Sequence, residues 1–252
     1  GTLDCVLAHL SAAHDAFRSG RPAWALVDDL EKQYDSVPDD MTCPAMLAVG
    51  CPEFGFTEWT MESLHLRPIY AATEYGVCEA VMHENGLLQG SAMSCCVINF
   101  MGTLLHRIWK LSPAKYTFSG VSPFPNPVKV ALAVLGYVDD NVRWCDSWKG
   151  LVESSKLFGH LSIVARTGRN TAKAKIFGYN GSNDPTYLDA GSPDHMVSVA
   201  WSRTALKGTG AVARSTIPIQ HARSQCAMYQ YLGVTLAVNP ALYDNKAAHK
   251  KV

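Results

Sequence analysis

Two adjacent aspartates, Asp139 and Asp140, lie between an apolar run and an alternating stretch in ALAVLGYVDDNVRWC, residues 131–145. This pattern is typical of two strands with the acidic pair at the hairpin tip. Buried carboxylates without partners are unfavourable, so the pair must face solvent, a cationic group or a metal ion. On its own, such a pair is most simply interpreted as a solvated turn.

A third carboxylate changes this interpretation. Asp29 lies at the end of another predicted short strand, in VDDLEKQYDSVP over residues 27–38. Two strand ends that supply three carboxylates can hold two Mg²⁺ ions close together, an arrangement that clamps the attacking and leaving oxygens in phosphoryl transfer. Mg²⁺ needs few protein oxygens, because it keeps waters or substrate phosphates as further ligands. We therefore expect Asp29 to meet Asp139 and Asp140 at one rim of a sheet.

Three stretches have the apolar spacing of helices that would support such a sheet. Residues 3–20 carry apolar side chains at helical spacing and end at Gly20, a usual C-cap residue. Residues 91–111 are apolar nearly all round, which predicts a buried helix. An amphipathic helix is predicted over residues 148–166.

Short runs rich in β-branched and aromatic residues predict the strands. One predicted strand ends at Asp29, and two more flank the Asp139–Asp140 pair. A similar run in YQYLGVTLAV, residues 229–238, predicts a hairpin. Residues 180–228 are rich in Gly, Ser, Pro and Asp and predict a loop region with weak strands. The order of elements predicts an α+β fold, an antiparallel sheet backed by helices, with Asp29 on a central strand and the acidic turn on its neighbour.

Composition limits the class of protein. The chain has 252 residues, 48% of them hydrophobic, which is enough for a substantial core. Lys plus Arg and Asp plus Glu are balanced at 22 each, so any basic surface for nucleic acid must be local. No segment has the roughly 18 uninterrupted apolar residues of a membrane span. Eight cysteines, mostly in apolar stretches and without a CxxC pair, predict free thiols in a reducing compartment, whether nucleus, cytoplasm or organelle.

Five blocks of the sequence carry a family resemblance through their content and their order. They are VDDLEKQYDSV (27–37), NGLLQGSAMS (85–94), GYVDD (136–140), NTAKAKIF (170–177) and YLGV (231–234). The set resembles the palm motifs of reverse transcriptases, particularly those of non-LTR (LINE-type) retrotransposons. A YVDD motif alone is a weak signal, whereas five ordered blocks are a specific one.

The resemblance implies a polymerase palm with the fingers and thumb mostly absent. It covers residues 1–236, in which 3–20 form the helix that leads into the first motif and 180–228 form an insertion. Residues 237–252 are then a tail or the start of a thumb. We expect the chain to be a fragment, or one piece of a larger protein.

The resemblance also implies a set of metal ligands. The family binds its metals through the first aspartate of the D-x-E-K block and both aspartates of the Y-x-D-D block. These correspond to Asp29, Asp139 and Asp140. The Leu30 carbonyl is the expected further ligand, and the expected ions are two Mg²⁺, with Mn²⁺ as the alternative.

An aromatic residue fixes the register of the first block. In the family, Tyr or Phe follows the metal aspartate by five positions, as Tyr34 follows Asp29. Asp28 stands where the family has an apolar strand residue. The family's aromatic ring lies under the incoming sugar and clashes with a 2′-hydroxyl, so Tyr34 implies selection of deoxynucleotides and a DNA product.

Two further blocks are expected to contact the nucleotide. In the family, the glycine that corresponds to Gly90 allows close approach of template or nucleotide to the backbone, and the position of Gln89 contacts the nucleotide region. Lys173, or Lys175 in the same block, resembles the lysine near the triphosphate that gives a proton to the leaving pyrophosphate.

The resemblance implies two alternative functions. The first is RNA-directed DNA polymerisation, with an RNA template, a DNA primer and deoxynucleoside triphosphates as partners. The second is a catalytically inactive palm retained as a structural subunit that binds other protein subunits of a larger assembly. An open groove over Asp139 and Asp140 favours the enzyme, whereas Arg143 or a lysine bridged across the carboxylates favours the structural role.

Overall fold

The computed structural model describes residues 1–31, 33–37, 39–64, 67–83, 86–87, 92–120, 129–137, 140–164, 168–170, 173–180, 196–200, 214–221 and 228–237. The α-helices in these ranges are α1 (Thr2–Ser19), α2 (Gln33–Ser36), α3 (Asp39–Val49), α4 (Glu58–Leu64), α5 (Ala92–Leu111) and α6 (Trp148–Val164). A turn with π-helical hydrogen bonding, Glu53–Thr57, precedes α4. Within the same ranges, no helix combines the length and the apolar character needed to cross a bilayer.

The strands lie between these helices and after the last of them along the chain. They are β1 (Ala23–Glu31), β2 (Arg67–Ile69), β3 (Ala72–Thr73), β4 (Gly76–Val77), β5 (Val81–His83), β6 (Tyr116–Thr117), β7 (Ala131–Leu132), β8 (Val134–Tyr137), β9 (Asp140–Cys145), β10 (Gly168–Arg169), β11 (Lys175–Tyr179), β12 (Met196–Ala200), β13 (Arg214–His221), β14 (Met228–Tyr231) and β15 (Val234–Ala237).

One large sheet organises the molecule, in the order β12-β13-β11-β1-β9-β8, with β10 also paired to β1. Its pairs are antiparallel except for β11 and β13, which run parallel. The predicted α+β fold with an antiparallel sheet and helices is therefore confirmed. Residues 180–228, predicted as a loop region with weak strands, contribute β12 and β13 to one edge of this sheet.

Successive side chains of β1 point to opposite faces of the sheet. Ala25 and Val27 belong to the core on one side, called here the front face, and Trp24 and Leu26 to the core on the other, the back face. Helix α1 and the β14–β15 hairpin contribute to the front-face core. Its further buried members are Val6, Ala12, Ala13, Ala16, Ala23, Tyr116, Val142, Trp144, Phe177, Tyr179, Tyr229, Tyr231 and Leu236.

Helix α1 matches the helix predicted over residues 3–20. It ends at Gly20, whose φ of 65° and ψ of 5° are left-handed. Glycine reaches this conformation without steric strain, which explains why the helix stops there. The chain then turns directly into β1.

Helices α5 and α6 cover the back face. Leu151 of α6 packs with Trp24 and Leu26, and Leu30 packs with side chains of both helices. These are Leu105, Trp109 and Phe158.

Only one side of α5 is buried. Val97 and Ile98 are fully buried, whereas Cys95 and Cys96 are exposed. The prediction of a helix buried nearly all round is therefore wrong in extent, because α5 packs against α3 and β8 from one side.

A buried ion pair lies within the back-face core. The carboxylate of Asp28 and the guanidinium of Arg143 form a salt bridge, and each residue is 1% exposed. Arg143 also donates from Nη1 to the Ser154 carbonyl of α6 at 3.1 Å. Its guanidinium lies 4.6 Å from the ring centroid of Phe158. Arg143 therefore connects β1 and β9 to α6.

Replacing Arg143 with Met should lower the free energy of unfolding by about 3–5 kcal/mol, because the Asp28 carboxylate stays buried after its guanidinium partner is removed. The double variant Asp28→Leu/Arg143→Met should recover much of this loss, since both members of the pair are then apolar. Urea unfolding followed by tryptophan fluorescence measures both changes. A double variant as unstable as Arg143→Met contradicts this explanation.

A buried histidine connects α1 to the β14–β15 hairpin. The indole Nε1–H of Trp144 donates to Nδ1 of His9 at 3.1 Å. A neutral imidazole that accepts at Nδ1 carries its proton on Nε2, and Nε2 is hydrogen-bonded to the Tyr229 hydroxyl. Burial lowers the pKa of His9 from 6.5 to about 3. The imidazole is therefore neutral in the folded chain at neutral pH.

Acid should destabilise the fold through His9. Because the pKa of His9 is depressed below its ordinary 6.5 in the folded chain, the unfolded chain takes up the proton first as the pH falls. The contribution of the neutral His9 imidazole to the free energy of unfolding is fully present above pH 6.5 and is lost as the pH falls towards 3. Between these pH values, the free energy of unfolding falls by about 1.4 kcal/mol per pH unit. In urea unfolding, His9→Gln should therefore lose less stability than wild type on acidification over this range.

The matched control is His14→Gln, on the exposed side of the same helix. It removes an imidazole that lies outside the core, so it should keep the pH dependence of the wild type. Equal responses of the two glutamine variants to pH would show that the buried site of His9 is not responsible.

Candidate active site

Asp29 and Asp140 lie directly opposite each other on neighbouring strands. They are paired positions in the antiparallel β1–β9 ladder. Opposite residues of such a ladder point to the same face, with Cβ atoms about 4.5–5.5 Å apart, and the alternation along β1 makes this the front face. The predictions that Asp29 lies on a central strand and that the strand carrying Asp140 is its neighbour are confirmed. Asp139 lies outside the described residues.

The same alternation separates the two aspartates of β1. Asp28 points to the back face, where it forms the salt bridge with Arg143. The side chain of Asp29 is 11% exposed on the front face. A carboxylate neutralised by a guanidinium behind the sheet cannot also serve a site in front of it. The choice of Asp29 as metal ligand stays a prediction.

The hairpin that carries Asp140 is braced from the back face by α5. His106 donates from Nε2 to Asn141 Oδ1 at 3.0 Å. Burial lowers the pKa of His106, and the hydrogen bond with Asn141 opposes only part of this shift. A Cβ on Gly136, the residue paired with Asn141, would clash with both side chains. The glycine of the GYVDD block is therefore required for α5 to approach the hairpin.

A turn defined by Asn170, Lys173 and Ala174 holds Asp29 from its other side. The backbone N–H of Asn170 donates to the Asp29 carbonyl at 2.9 Å, and its side-chain Nδ2 donates to Asp29 Oδ2 at 3.1 Å. The turn is closed by the N–H groups of Lys173 and Ala174, which donate to the Asn170 carbonyl at 3.2 and 3.0 Å. It stands between β10 and β11, both of which pair with β1.

Lys173 brings a positive charge to the same carboxylate. Its Nζ lies 2.8 Å from Asp29 Oδ2, and its side chain is 69% exposed. Sequence analysis assigned a lysine of this block to the substrate triphosphate. The contact with Asp29 is the kind of lysine–carboxylate bridge that favours the alternative structural role.

A cleft of about 430 Å³ opens beside the two carboxylates. The β14–β15 hairpin contributes to its wall, with a turn at Leu232 and Gly233, whose φ values are 51° and 77°. The YLGV block therefore forms the hairpin that was predicted. The cleft is lined by Val27, Asp28, Asp29, Asp140, Lys173, Lys175, Met228, Tyr229, Gln230 and Thr235.

The donor set of this cleft fits a hard divalent cation. Asp29 and Asp140 supply carboxylate oxygens from facing positions, and Mg²⁺ is commonly bound through one or two carboxylates. The ammonium of Lys173 already places a cation against Asp29. Within the described part of the chain, no group of three or more His, Cys, Asp and Glu side chains forms a metal cluster.

Two other predicted site residues, Tyr34 and Leu30, are not among the residues that line this cleft. Tyr34 is half-buried beside Val37 and Leu87 in the core that α5 shares with α3, and its hydroxyl lies 3.6 Å from Cys95 Sγ. The side chain of Leu30 is buried on the back face. Its backbone pairs with Arg169, and its carbonyl as a ligand stays a prediction.

Two predicted nucleotide contacts, Gln89 and Gly90, lie outside the described residues. Asn170 is a contact that sequence analysis missed, although it begins the NTAKAKIF block. An asparagine at the start of a turn is a common local signal. Its bond to a carboxylate far away in sequence is a tertiary contact that local pattern does not specify.

Neither a protein-family model nor a curated protein sequence matches the chain. Solved telomerase structures do match it. Telomerase from Candida tropicalis in complex with a TWJ fragment of telomeric RNA gives a TM-score of 0.50 at 10% identity, over 76% of this chain and 31% of that one. Apo telomerase from the same species, truncated from its C-terminal domain, gives a TM-score of 0.52 at 10% identity, over 75% of this chain and 37% of that one.

Telomerase from Candida albicans, also with a TWJ fragment of telomeric RNA, gives a TM-score of 0.50 at 12% identity, over 75% of this chain and 31% of that one. The chain thus spans between 31% and 37% of the length of these telomerase chains. Identities this low show the fold alone. Together with the opposed carboxylates at the centre of the sheet, they show that the chain has a reverse-transcriptase-like fold.

Proposed function

We propose that this chain is the palm of an RNA-directed DNA polymerase of the non-LTR retrotransposon type, which transfers nucleotides to a primer 3′-hydroxyl. The observation that carries the proposal is the opposition of Asp29 and Asp140 across β1 and β9, beside one open cleft. Carboxylates that face one cleft from neighbouring strands suit two-metal nucleotidyl transfer. The reverse-transcriptase-like fold and the five ordered sequence blocks support the same reaction.

The reaction joins the primer 3′-oxygen to the α-phosphorus of a deoxynucleoside triphosphate and breaks the bond to the pyrophosphate oxygen. Asp29, Asp139 and Asp140 would hold two Mg²⁺ ions, or Mn²⁺. The Leu30 carbonyl would be a further ligand. Bound ions of this kind make the hydroxyl a better nucleophile and neutralise charge on the pyrophosphate. Lys173, at the edge of the same cleft, would donate a proton to the pyrophosphate.

The other roles concern the substrates. The ring of Tyr34 would exclude a 2′-hydroxyl, and Gln89 and Gly90 would contact the nucleotide and the template. The β14–β15 hairpin, which lines the cleft beside the carboxylates, would hold the primer strand. RNA as a partner is supported by the fragments of telomeric RNA bound to two of the structurally similar telomerases, and its use as a template is part of the proposal.

Asp29→Asn and Asp140→Asn should each lower primer extension on poly(rA)/oligo(dT) by about 100-fold or more, because each removes a charged metal ligand. Incorporation of labelled dTTP by the full chain with Mg²⁺ measures this. The matched control, Glu153→Gln, removes an exposed acid from α6 and should keep the wild-type rate. Equal incorporation by the wild type and the Asp139→Ala/Asp140→Ala double variant would contradict the proposal.

Tyr34→Ala should lower the preference for dTTP over UTP by about tenfold or more, because removal of the ring makes room for a 2′-hydroxyl. Tyr34→Phe is the matched control. It keeps the ring and removes only the hydroxyl near Cys95, so its preference should remain that of the wild type. The ratio of kcat/KM for the two nucleotides measures both variants, and equal ratios in the two would contradict the assigned role.

A second candidate function, a catalytically inactive palm within a protein assembly, is favoured by one contact. The Lys173 ammonium lies on Asp29 Oδ2, as it would in a palm that neutralises this carboxylate without metal. A folded wild-type chain that binds Mn²⁺ no more tightly than Asp29→Asn would favour this function over the polymerase.

A further inference from the structure

Asp29 is held by two donors that differ in chemistry. Asn170 contributes a neutral amide whose position is fixed, because its own backbone N–H is bonded to the Asp29 carbonyl at 2.9 Å. Its Nδ2 then reaches Asp29 Oδ2 at 3.1 Å. Backbone and side chain of one residue thus define the position of both the main chain and the carboxylate of Asp29.

Lys173 reaches the same oxygen in a different way. Its Nζ lies 2.8 Å from Asp29 Oδ2 at the end of a side chain that is 69% exposed. A lysine is a compact, strongly hydrated charge on a flexible stem, and Lys173 is the exposed partner of a carboxylate whose own side chain is 11% exposed. The ammonium can therefore leave Asp29 without disturbing the turn.

We propose that Asn170 is a positioning residue that fixes the Asp29 carboxylate, and that Lys173 is an exchangeable counter-ion that a divalent cation displaces from Asp29. The inference rests on the proposed function in one respect, namely that Asp29 binds such a cation. It assigns opposite effects to two residues of one turn. Asn170 assists the binding of the cation, whereas Lys173 competes with it.

The charge of Lys173 and the neutral hydrogen bond from Asn170 explain why the two residues have opposite effects on cation binding. An ammonium and a divalent cation at one carboxylate repel each other, so binding of the ion has to move Lys173 away. Asn170 is neutral and can stay in place. An ionised carboxylate has about four lone-pair sites, so the bond from the amide leaves acceptor sites on Asp29 for the ion. Once displaced, Lys173 is in the cleft where the substrate phosphates would lie.

The test is Mn²⁺ binding to the full chain without nucleotide, measured from the electron paramagnetic resonance signal of free Mn²⁺. Lys173→Met should bind Mn²⁺ about three- to fivefold more tightly, as expected for removal of an exposed competing ion pair. Asn170→Ala and Asn170→Ser should each bind Mn²⁺ about tenfold more weakly, the usual effect of losing a partner that orients a metal ligand.

Lys175→Met is the matched control. Lys175 lines the same cleft, so its removal changes the charge of the cleft by the same amount as Lys173→Met. Because the proposal depends on contact with Asp29, Lys175→Met should shift the Mn²⁺ affinity less than Lys173→Met. Equal shifts would mean that the general field of the cleft is responsible, and would overturn the counter-ion role.

Asp29→Asn separates failure of this inference from failure of the proposed function. Unchanged Mn²⁺ binding in Asp29→Asn would overturn the metal site itself. Loss of binding in Asp29→Asn together with unchanged affinity in Lys173→Met would overturn only the role of Lys173. Wild-type affinity in both Asn170 variants would likewise overturn only the role of Asn170. Thermal unfolding of the same samples verifies that each variant is folded.

Discussion

Strand β1 is hydrogen-bonded along both edges, to β9 on one side and to β10 and β11 on the other. This pairing fixes which of its side chains face forward. A slip of one residue would exchange the two faces and would carry Asp29 into the back-face core while exposing Asp28 in the cleft. The apolar residues of both faces oppose such a slip, because each has its own buried cluster. The position of one carboxylate therefore depends on the packing of the whole strand.

The two neighbouring aspartates of β1 consequently have different roles. Asp28 is neutralised by Arg143 within the core that joins the sheet to α6. Asp29 faces Asp140 and the turn that begins at Asn170. A charged residue at the position of Asp28, within a buried strand, is accommodated because β9 provides a guanidinium on the same face. The carboxylates of the front-face site are therefore those of Asp29 and Asp140, and the Asp28 carboxylate lies behind the sheet.

Much of this arrangement follows from local sequence pattern. Alternation and turn residues were sufficient to predict β1, the hairpin before Asp140 and the end of α1 at Gly20. These features depend on neighbouring residues and on strand periodicity, which a single sequence displays directly. The choice of Asp29 rather than Asp28 as metal ligand came from the family resemblance and stays a prediction.

Contacts between distant segments could not be predicted in this way. The partner of Asp28 and the bond from Asn170 to Asp29 depend on which strands become neighbours in space. The strands contributed by residues 180–228 were weak in sequence, and their place at the edge of the sheet is set by pairing between β11 and β13. The exposed side of α5 likewise reflects which elements pack against it, because an apolar run does not reveal how many of its sides are covered.

The hydrogen bond between His9 and Tyr229 joins residues that are 220 positions apart. A ribosome adds about 5–20 residues per second, so α1 leaves it on the order of ten seconds or more before the strand that carries Tyr229. During that interval the strands that carry Asp29 and Asp140 can pair. The β14–β15 hairpin, which forms one wall of the cleft, has not yet been synthesised. The nascent chain thus completes the strands that carry Asp29 and Asp140 before it completes the β14–β15 wall of the cleft.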